Sequence, residues 1–177
     1  MNETKFDFED ERGKIPAHRH INKNGYEGGW VEDNCTVSED SYVSSNSRVY
    51  NNSSVYNSRV DNSSVYNNSR VDNSRVYNNS SVDNSSVYNS SVDKTKISNT
   101  KQIYTQCPIG SRNDKCTAFI GDEDTEIRIV AGCFRGDLKE FEAAILETHG
   151  HSNYGKEYLA FIENAKTYFE IWGYLKK

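Results

Sequence analysis

The sequence predicts a mainly β protein: a parallel β-solenoid of the triangular left-handed β-helix type, with short coils of 15–18 residues, plus a small C-terminal α+β domain. Two observations predict the solenoid: a branched apolar residue recurs every five or six residues, and a serine or threonine precedes most of these by two positions. Past this tract, the spacing of apolar residues is typical of a hairpin and two helices. We therefore expect an N-terminal cap over residues 1–30, the solenoid over 31–106 and a hairpin-helix-helix domain over 107–177.

The repeated unit is Ser-x-Val followed by an asparagine-rich joint. Residues two apart on a strand point to the same face, so we expect the serine and the valine of each unit to face inward. Asparagine tolerates left-handed backbone angles and therefore suits the corners. The branched apolar positions are Val31, Val37, Val43, Val49, Val55, Val60, Val65, Val71, Val76, Val82, Val87, Val92, Ile97 and Ile103. The corner asparagines are Asn51, Asn57, Asn62, Asn67, Asn73, Asn78, Asn84 and Asn89.

The residue after each valine points outward and alternates between tyrosine and aspartate. With three units per turn, the first coils contain 18 residues and the later ones 16, which predicts one outward ladder on each face. The three ladders are Tyr50-Tyr66-Asp83, Tyr56-Asp72-Tyr88 and Asp61-Tyr77-Asp93. Two interpretations remain open: a solvated surface that avoids like-charge stacking, or a docking surface for a partner. The docking residues would be Tyr56, Tyr66, Tyr77, Arg70 and Arg75.

The ends of the chain have different patterns. Trp30 is predicted to plug the open end of the solenoid, and His18 and His20 share a strand face, either as half of a metal site or as exposed polar residues. Towards the C-terminus, a hairpin is predicted from 116–119 and 127–133 around a turn at 121–124. A helix follows with Asp137 as N-cap and Glu140 at N3, and it ends at Gly150. A second helix is predicted over 156–172. The apolar stripes of the two helices are Leu138, Phe141, Ile145 and Leu146 in the first, and Tyr158, Leu159, Ile162, Ala165, Phe169 and Trp172 in the second.

Candidate binding residues also lie in the C-terminal domain, at Arg112, Arg135, His149 and Tyr154. Arg135 precedes a helix N-terminus, where backbone amides favour a phosphate or nucleotide. In the alternative, Arg135 pairs with an acidic neighbour and His149 caps its helix. The four cysteines are interpreted as small buried thiols, with a zinc site as the less favoured hypothesis. That site would use Cys107, Cys116, Cys133 and His149. We expect no metal and no cofactor.

Segments outside the repeat carry a resemblance to a known family. They are GGWVE at 28–32, GCFRGDLKEFE at 132–142 and THG at 148–150. Together with the repeat, they resemble small hexapeptide-repeat proteins encoded by bacteriophages and prophages, over about residues 18–170. The chain departs from that family in its repeats, where asparagine replaces the corner glycine and serine replaces alanine. The resemblance implies a solenoid of viral origin and no established chemistry.

Several functional classes are disfavoured by composition. No apolar run has the length of a membrane span or of a signal peptide, so we expect a soluble protein of the host bacterial cytoplasm. The net charge is −5 overall, and residues 41–106 carry only +3, which weighs against nucleic-acid binding. Residues 31–106 contain no histidine, although acyltransferases that resemble this solenoid use one as general base.

We therefore expect a non-enzymatic, phage-encoded binding protein that inhibits a bacterial antiviral defence system, such as an anti-CRISPR. It would act by occluding a host defence protein or by sequestering a nucleotide second messenger. The alternatives are an acyltransferase-like hexapeptide-repeat enzyme and a structural virion module. Triangular solenoids present flat faces, so we also expect a homo-oligomer, specifically a trimer.

Overall fold

The computed structural model describes residues 4–78, 80–83, 86–122 and 124–175. The chain divides into two compact units, Met1–Thr100 and Lys101–Lys177. In the part of the chain that the structure describes, none of the helices has both the length and the hydropathy that a membrane span requires.

The first unit is a parallel β-solenoid of about 4 turns, as the repeat predicts. Its sheets pair valine with valine from coil to coil: Val37 with Val55, Val43 with Val60, and Val82 with Ile97. These pairs are 18, 17 and 15 residues apart, which confirms coils of 15–18 residues. The solenoid strands are β3 (Glu27–Glu32), β4 (Thr36–Val37), β5 (Tyr42–Val43), β6 (Arg48–Val49), β7 (Ser54–Tyr56), β8 (Arg59–Asp61), β9 (Ser64–Tyr66), β10 (Arg70–Asp72), β11 (Arg75–Tyr77), β12 (Ser81–Asp83), β13 (Ser86–Tyr88), β14 (Ser91–Asp93) and β15 (Lys96–Ile97).

The interior serines join successive coils through hydrogen bonds. The hydroxyl of Ser74 accepts from the Ser90 backbone N–H at 3.0 Å and donates to the Asp72 carbonyl at 2.7 Å. In the coil before, the Ser58 hydroxyl accepts from the Ser74 N–H at 3.0 Å. Each such hydroxyl satisfies a backbone group at a corner where the strand ladder is interrupted, so a buried polar side chain stabilises the narrow core.

Asparagine occupies the left-handed corner positions, as predicted. Positive φ angles of 42–57° are found at Asn51, Asn57, Asn62, Asn67, Asn73, Asn78 and Asn89. Asn84 lies outside the described residues. The Asn67 amide donates to Asp83 Oδ1 at 2.7 Å and accepts from the Asn51 amide, so the corner side chains also form a ladder. Asparagine thus supplies both the backbone conformation and a hydrogen bond between coils.

The N-terminal cap is built differently from the prediction. Strands β1 (Lys5–Asp7) and β2 (Lys14–Ile21) extend one solenoid sheet beyond β3. Trp30 does not plug the solenoid, because it pairs in register with outward Arg48 and stacks on Phe6 at 4.5 Å. The edge of β5 is instead covered by buried Asn22, whose amide accepts from the Val43 N–H at 2.9 Å and donates to the Val43 carbonyl at 3.1 Å.

Stacked aromatic rings hold β1 and the residue after it against the solenoid. Phe8 stacks on Tyr50 at 4.9 Å between ring centroids, and Tyr50 stacks on Tyr66 at 5.1 Å with nearly parallel planes. Burial raises the pKa of Tyr50 to about 12. This row of rings gives Tyr66 a structural role on its face.

The second unit packs two helices and an antiparallel sheet around one apolar core. The sheet has the order β16 (Ile103–Ile109), β17 (Asp114–Phe119), β18 (Arg128–Ala131) and β19 (Phe134–Asp137), and the helices are α1 (Leu138–His149) and α2 (Asn153–Ile171). The predicted hairpin corresponds to β17 and β18. Ile103 is not a solenoid position, because it pairs antiparallel with Phe119. The division between the two units in the sequence accordingly follows Thr100, six residues before the predicted boundary.

The helix signals are confirmed with small shifts. Helix α1 has the predicted N-cap and ends before Gly150, whereas α2 begins three residues before its predicted start. Phe141, Ile145, Ile162 and Phe169 are buried as the apolar stripes predict. Leu146, placed in the α1 stripe, is 45% exposed.

Removal of the α1 cap tests the second unit. Asp137 Oδ1 accepts from the Glu140 N–H at 2.9 Å, and Glu140 Oε2 accepts from the Asp137 N–H at 2.9 Å. We expect Asp137→Ala to lower the free energy of unfolding by about 1 kcal/mol. The chain has one tryptophan in each unit, so urea unfolding followed by Trp172 fluorescence in a Trp30→Phe background reports on this unit. Exposed Glu142→Ala serves as control, and equal midpoints for the two variants would contradict the cap.

Candidate functional site

The five solenoid residues predicted for docking lie on three different faces. Tyr66 belongs to the face of β9, Tyr56 and Arg70 to the face of β7 and β10, and Tyr77 and Arg75 to the face of β11. All three predicted outward ladders are present in register, with Tyr50 stacked on Tyr66 in the first. The five residues therefore do not form one continuous docking surface.

On the β7–β10–β13 face, the outward residues contact one another. The Arg70 guanidinium lies 4.7 Å from the Tyr56 ring centroid and 5.9 Å from that of Tyr88, and it pairs with Asp72 at 3.0 Å. The hydrogen bond to Asp72 raises the pKa of Arg70. These contacts support the solvated-surface interpretation for Arg70, because its charge is balanced within the face.

The second unit contains a groove of about 220 Å³ between α1, α2 and two β-turns. Two of the predicted binding residues, Arg112 and His149, line it. Its full lining is Ser111, Arg112, Asp114, Lys115, Ala131, Gly132, Cys133, Phe134, Phe141, Ala144, Ile145, Thr148, His149 and Tyr158.

Aromatic rings form much of the groove wall. The Phe134 and Phe141 rings are 4.9 Å apart, and Tyr158 meets Phe141 edge-on at 5.6 Å. His149, at the last position of α1, stacks on Tyr158 at 5.6 Å. His149 therefore does not cap α1, because the C-cap is Gly150; its ring contacts Tyr158 instead. Gly110 makes room for Tyr158, because a Cβ at this position would overlap the Tyr158 hydroxyl.

The rim of the groove carries the charged side chains. Exposed Arg112 projects from the β16–β17 turn towards the β18–β19 turn, where its Nη1 lies 3.5 Å from the position that a Cβ on Gly132 would occupy. Lys115 lies on the same hairpin, and Asp114 Oδ1 accepts from the Lys115 backbone N–H at 2.7 Å. The groove thus combines an apolar, aromatic interior with two cations and one carboxylate at its mouth.

Arg135 and Tyr154 lie outside the groove lining. The Arg135 guanidinium donates to the Cys133 carbonyl at 3.2 Å, and the Tyr154 ring is 6.2 Å from that of His149. At the α1 N-terminus, the carboxylates of Asp137 and Glu140 already accept from two of the backbone amides, which disfavours a phosphate or nucleotide there. Sequence reasoning missed Tyr158, which looked like an ordinary stripe residue of α2.

The cysteines and histidines do not assemble a metal centre. Within the described part of the chain, no group of three or more potential ligands is positioned to hold a metal, so the zinc hypothesis finds no support. The buried-thiol interpretation holds for Cys116 and is wrong for Cys107 and Cys133, which are exposed, while Cys35 is half-buried. His18 Nδ1 lies 2.7 Å from Asp33, and His20 is buried with Nε2 3.0 Å from the Ser41 carbonyl.

These environments predict a pattern of thiol reactivity. At pH 8 we expect iodoacetamide to modify exposed Cys107 and Cys133, and to spare Cys116, whose pKa is raised by burial. Burial also raises the pKa of Cys35 to about 11, so only about one Cys35 in a thousand is thiolate at pH 8. Its modification should therefore be slow and accelerate as the pH rises towards 11. Peptide mass spectrometry checks the pattern, and rapid modification of Cys116 would contradict the packing of β17.

The segments that carry the resemblance divide into structural and groove-lining residues. Gly28 and Gly29 pack against the first coil, and Asp137 and Glu140 cap α1. The groove-lining members of the C-terminal segments are Gly132, Cys133, Phe134, Phe141, Thr148 and His149. Comparisons with protein-family models, curated proteins and solved structures find no match to this chain. The groove is thus the candidate functional site on the strength of its own geometry.

Proposed function

We propose that this chain is a non-enzymatic, bacteriophage-encoded binding protein that inhibits a bacterial antiviral defence system by occluding one of its proteins. It acts in the cytoplasm of the infected bacterium. The groove of the second unit holds an anchoring side chain of the target, and the surrounding surface blocks the target's own site.

The convergence of two sequence segments on the groove carries this proposal. Residues 132–142, which run from the β18–β19 turn into α1, and residues 148–150 at the end of α1 resemble phage hexapeptide-repeat proteins, and both segments supply groove lining. His149 and Cys133 have no evident role in capping or core packing, since one stacks on the groove wall and the other is exposed. A site for a ligand accounts for their place in the segments.

The size of the groove favours an anchoring side chain of a target protein over a sequestered nucleotide second messenger. Sites for small molecules usually measure about 300–1,000 Å³, whereas this groove measures about 220 Å³. The groove accommodates one side chain of a partner protein together with the residues next to it, and a few such anchoring side chains supply most of the binding energy of many protein interfaces. A cyclic dinucleotide would leave most of its surface in water.

Self-association extends the proposal. We propose a homotrimer assembled through the flat solenoid faces, on which tyrosines and arginines alternate with aspartates. Light scattering tests this proposal, with an expected mass of three times the 20.2 kDa of one chain. A monomer mass over the accessible concentration range would refute it.

Phage plating tests the inhibitory function. The chain is expressed in otherwise identical bacterial strains, each carrying one defence system, and in a strain without any. We expect the efficiency of plating of a sensitive phage to rise by at least about tenfold in one defence-carrying strain and to stay unchanged in the defence-free strain. Incorporation into purified virions, with unchanged plating in every strain, would favour a structural virion role instead.

Matched variants connect the inhibition to the groove. Ala144 on α1 lines the groove, whereas its neighbour Ala143 is exposed and does not. We expect Ala144→Trp to fill the groove and abolish protection, and Ala143→Trp to preserve it. Equal protection by both variants would place the inhibitory surface elsewhere on the molecule.

A further inference from the structure

The interior of the groove selects for an aromatic ligand. Phe134, Phe141, Tyr158 and His149 already contact one another edge-on, tilted or stacked, with centroids 4.9–5.6 Å apart. A further ring entering this cluster makes the same offset and edge-to-face contacts, which stabilise aromatic pairs beyond the area that they bury. Ala144 leaves the space that such a ring requires on the α1 side.

The rim selects for a negative charge beside that ring. Arg112 and Lys115 are the cations of the lining, and Asp114 is its carboxylate, so the charged lining sums to +1. Residues 107–177 as a whole carry 9 basic and 12 acidic side chains, a net charge of −3. The groove mouth is therefore positive in an otherwise acidic part of the chain, and a guanidinium matches a carboxylate with two parallel hydrogen bonds.

We propose that the groove binds a partner-protein segment in which an aromatic side chain lies next to a carboxylate, the ring entering between Phe134 and Tyr158 and the carboxylate meeting Arg112. The choice of a protein as the source of this anchor rests on the proposed function, whereas the ligand chemistry rests on the groove alone. A mononucleotide also combines a ring with an anion, and it is distinguished by experiment.

A pair of small probes tests the ligand chemistry directly. The probes are 3-phenylpropionate and 3-phenylpropylamine, which share a ring and a linker but carry opposite charges. Cys133 lines the groove and reports occupancy through its rate of alkylation by iodoacetamide, while exposed Cys107 outside the lining is the internal control. Mass spectrometry of the two peptides gives both rates in one sample.

We expect the carboxylate probe to protect Cys133 and leave Cys107 unaffected. At about five times its Kd, the probe slows Cys133 alkylation about sixfold, because only the unoccupied groove reacts. The amine probe should bind at least about tenfold more weakly, since it meets Arg112 with a like charge. At the same concentration it should therefore slow Cys133 alkylation by no more than about 1.5-fold. Equal protection by both probes, or none by either, would overturn the proposal.

Two exposed arginines provide a matched control for the charge. Arg112→Glu reverses the rim charge and should abolish protection by 3-phenylpropionate, whereas Arg135→Glu, outside the lining, should preserve it. Circular dichroism establishes that both variants are folded, and Ala144→Trp, which closes the groove without a change of charge, should also abolish protection. Protection that survives Arg112→Glu would refute the assigned role of the rim.

Adenosine monophosphate is the third probe. Stronger protection of Cys133 by this nucleotide than by 3-phenylpropionate would overturn the proposal in favour of nucleotide binding. The plating experiment fails or succeeds separately. If the groove binds the carboxylate probe selectively but the chain does not raise phage plating, the defence function alone is rejected. If Arg112→Glu leaves the rise in phage plating unchanged, the assigned anchor alone is rejected.

Discussion

Replacement of Val71 by aspartate is expected to lower the free energy of unfolding of the solenoid by about 3–5 kcal/mol, through an uncompensated charge in its core. Val71 is fully buried in β10, in register with Val55 and Val87 of the coils on either side. The solenoid core is narrow, so a carboxylate at this position has no route to water without opening the coil. Urea unfolding followed by Trp30 fluorescence, in a Trp172→Phe background, measures the loss in the first unit.

The loss should depend on pH with a definite sign. Burial raises the pKa of the introduced carboxyl above its unfolded value of about 3.9. At a pH between the unfolded-state pKa and the higher folded-state pKa, the folded state binds the proton more tightly than the unfolded state. The free energy of unfolding therefore falls as the pH rises, by up to about 1.4 kcal/mol per pH unit. We therefore expect a smaller difference from the parent at pH 4.5 than at pH 7.5.

Two controls isolate the cause of the Val71→Asp effect. Val71→Ala removes only methyl groups and should cost less, while Arg70→Asp places the new carboxylate on the exposed side of the same strand. We expect the order of stability Arg70→Asp, Val71→Ala, Val71→Asp from highest to lowest. Unchanged unfolding of Val71→Asp would mean that the repeat is disordered in solution.

The solenoid was predictable because its determinants are local and repeated. Inward valine, inward serine and corner asparagine recur at fixed spacing, and each specifies one feature of the coil: core, corner hydrogen bond and left-handed backbone. The outward ladders follow from the same spacing, so even the pairing of Tyr66 with Asp83 could be deduced. Repetition compensates for the low specificity of each single residue.

The ends of the solenoid could not be deduced in this way. Asn22 covers the edge of β5 through contacts 21 residues away in sequence, and no local pattern marks it as a cap. Ile103 continues the apolar spacing of the repeat, yet its strand pairs with β17, because pairing partners decide the sheet to which a short apolar strand belongs. The groove likewise depends on two β-turns and two helices that meet only in the folded unit.

Only part of the candidate site was therefore predictable. Arg112 and His149 were identified because packing did not account for them, and both line the groove. Arg135 was chosen because it lies just before the N-terminus of α1, but the capping box uses the backbone N–H groups of Asp137 and Glu140 there. A residue left unexplained by local structure was thus a better guide than a generic anion-binding position.

Replacement of Gly29 by alanine is expected to destabilise the first unit by about 2–3 kcal/mol through overpacking. A Cβ at this position would overlap the Ser47 carbonyl oxygen and would lie 2.7 Å from the Ser44 carbonyl oxygen, both of which are backbone atoms with little freedom to move. The next residue, Trp30, donates its N–H to the same Ser47 carbonyl at 3.2 Å. The extra methyl group therefore acts where β3 joins the first coil.

Gly25→Asn is the matched control, because Gly25 has a φ of +81° and no atom within 4 Å of its added Cβ, and asparagine tolerates such backbone angles. We expect its midpoint in urea to stay close to that of the parent, and Trp30 fluorescence to report a large shift for Gly29→Ala. Equal midpoints would contradict the close approach of β3 to the coil. If the expected difference is observed, Gly29 of segment 28–32 is required for the close approach of β3 to the first coil. The resemblance at the N-terminus then reflects folding, and the search for a binding function concentrates on segments 132–142 and 148–150.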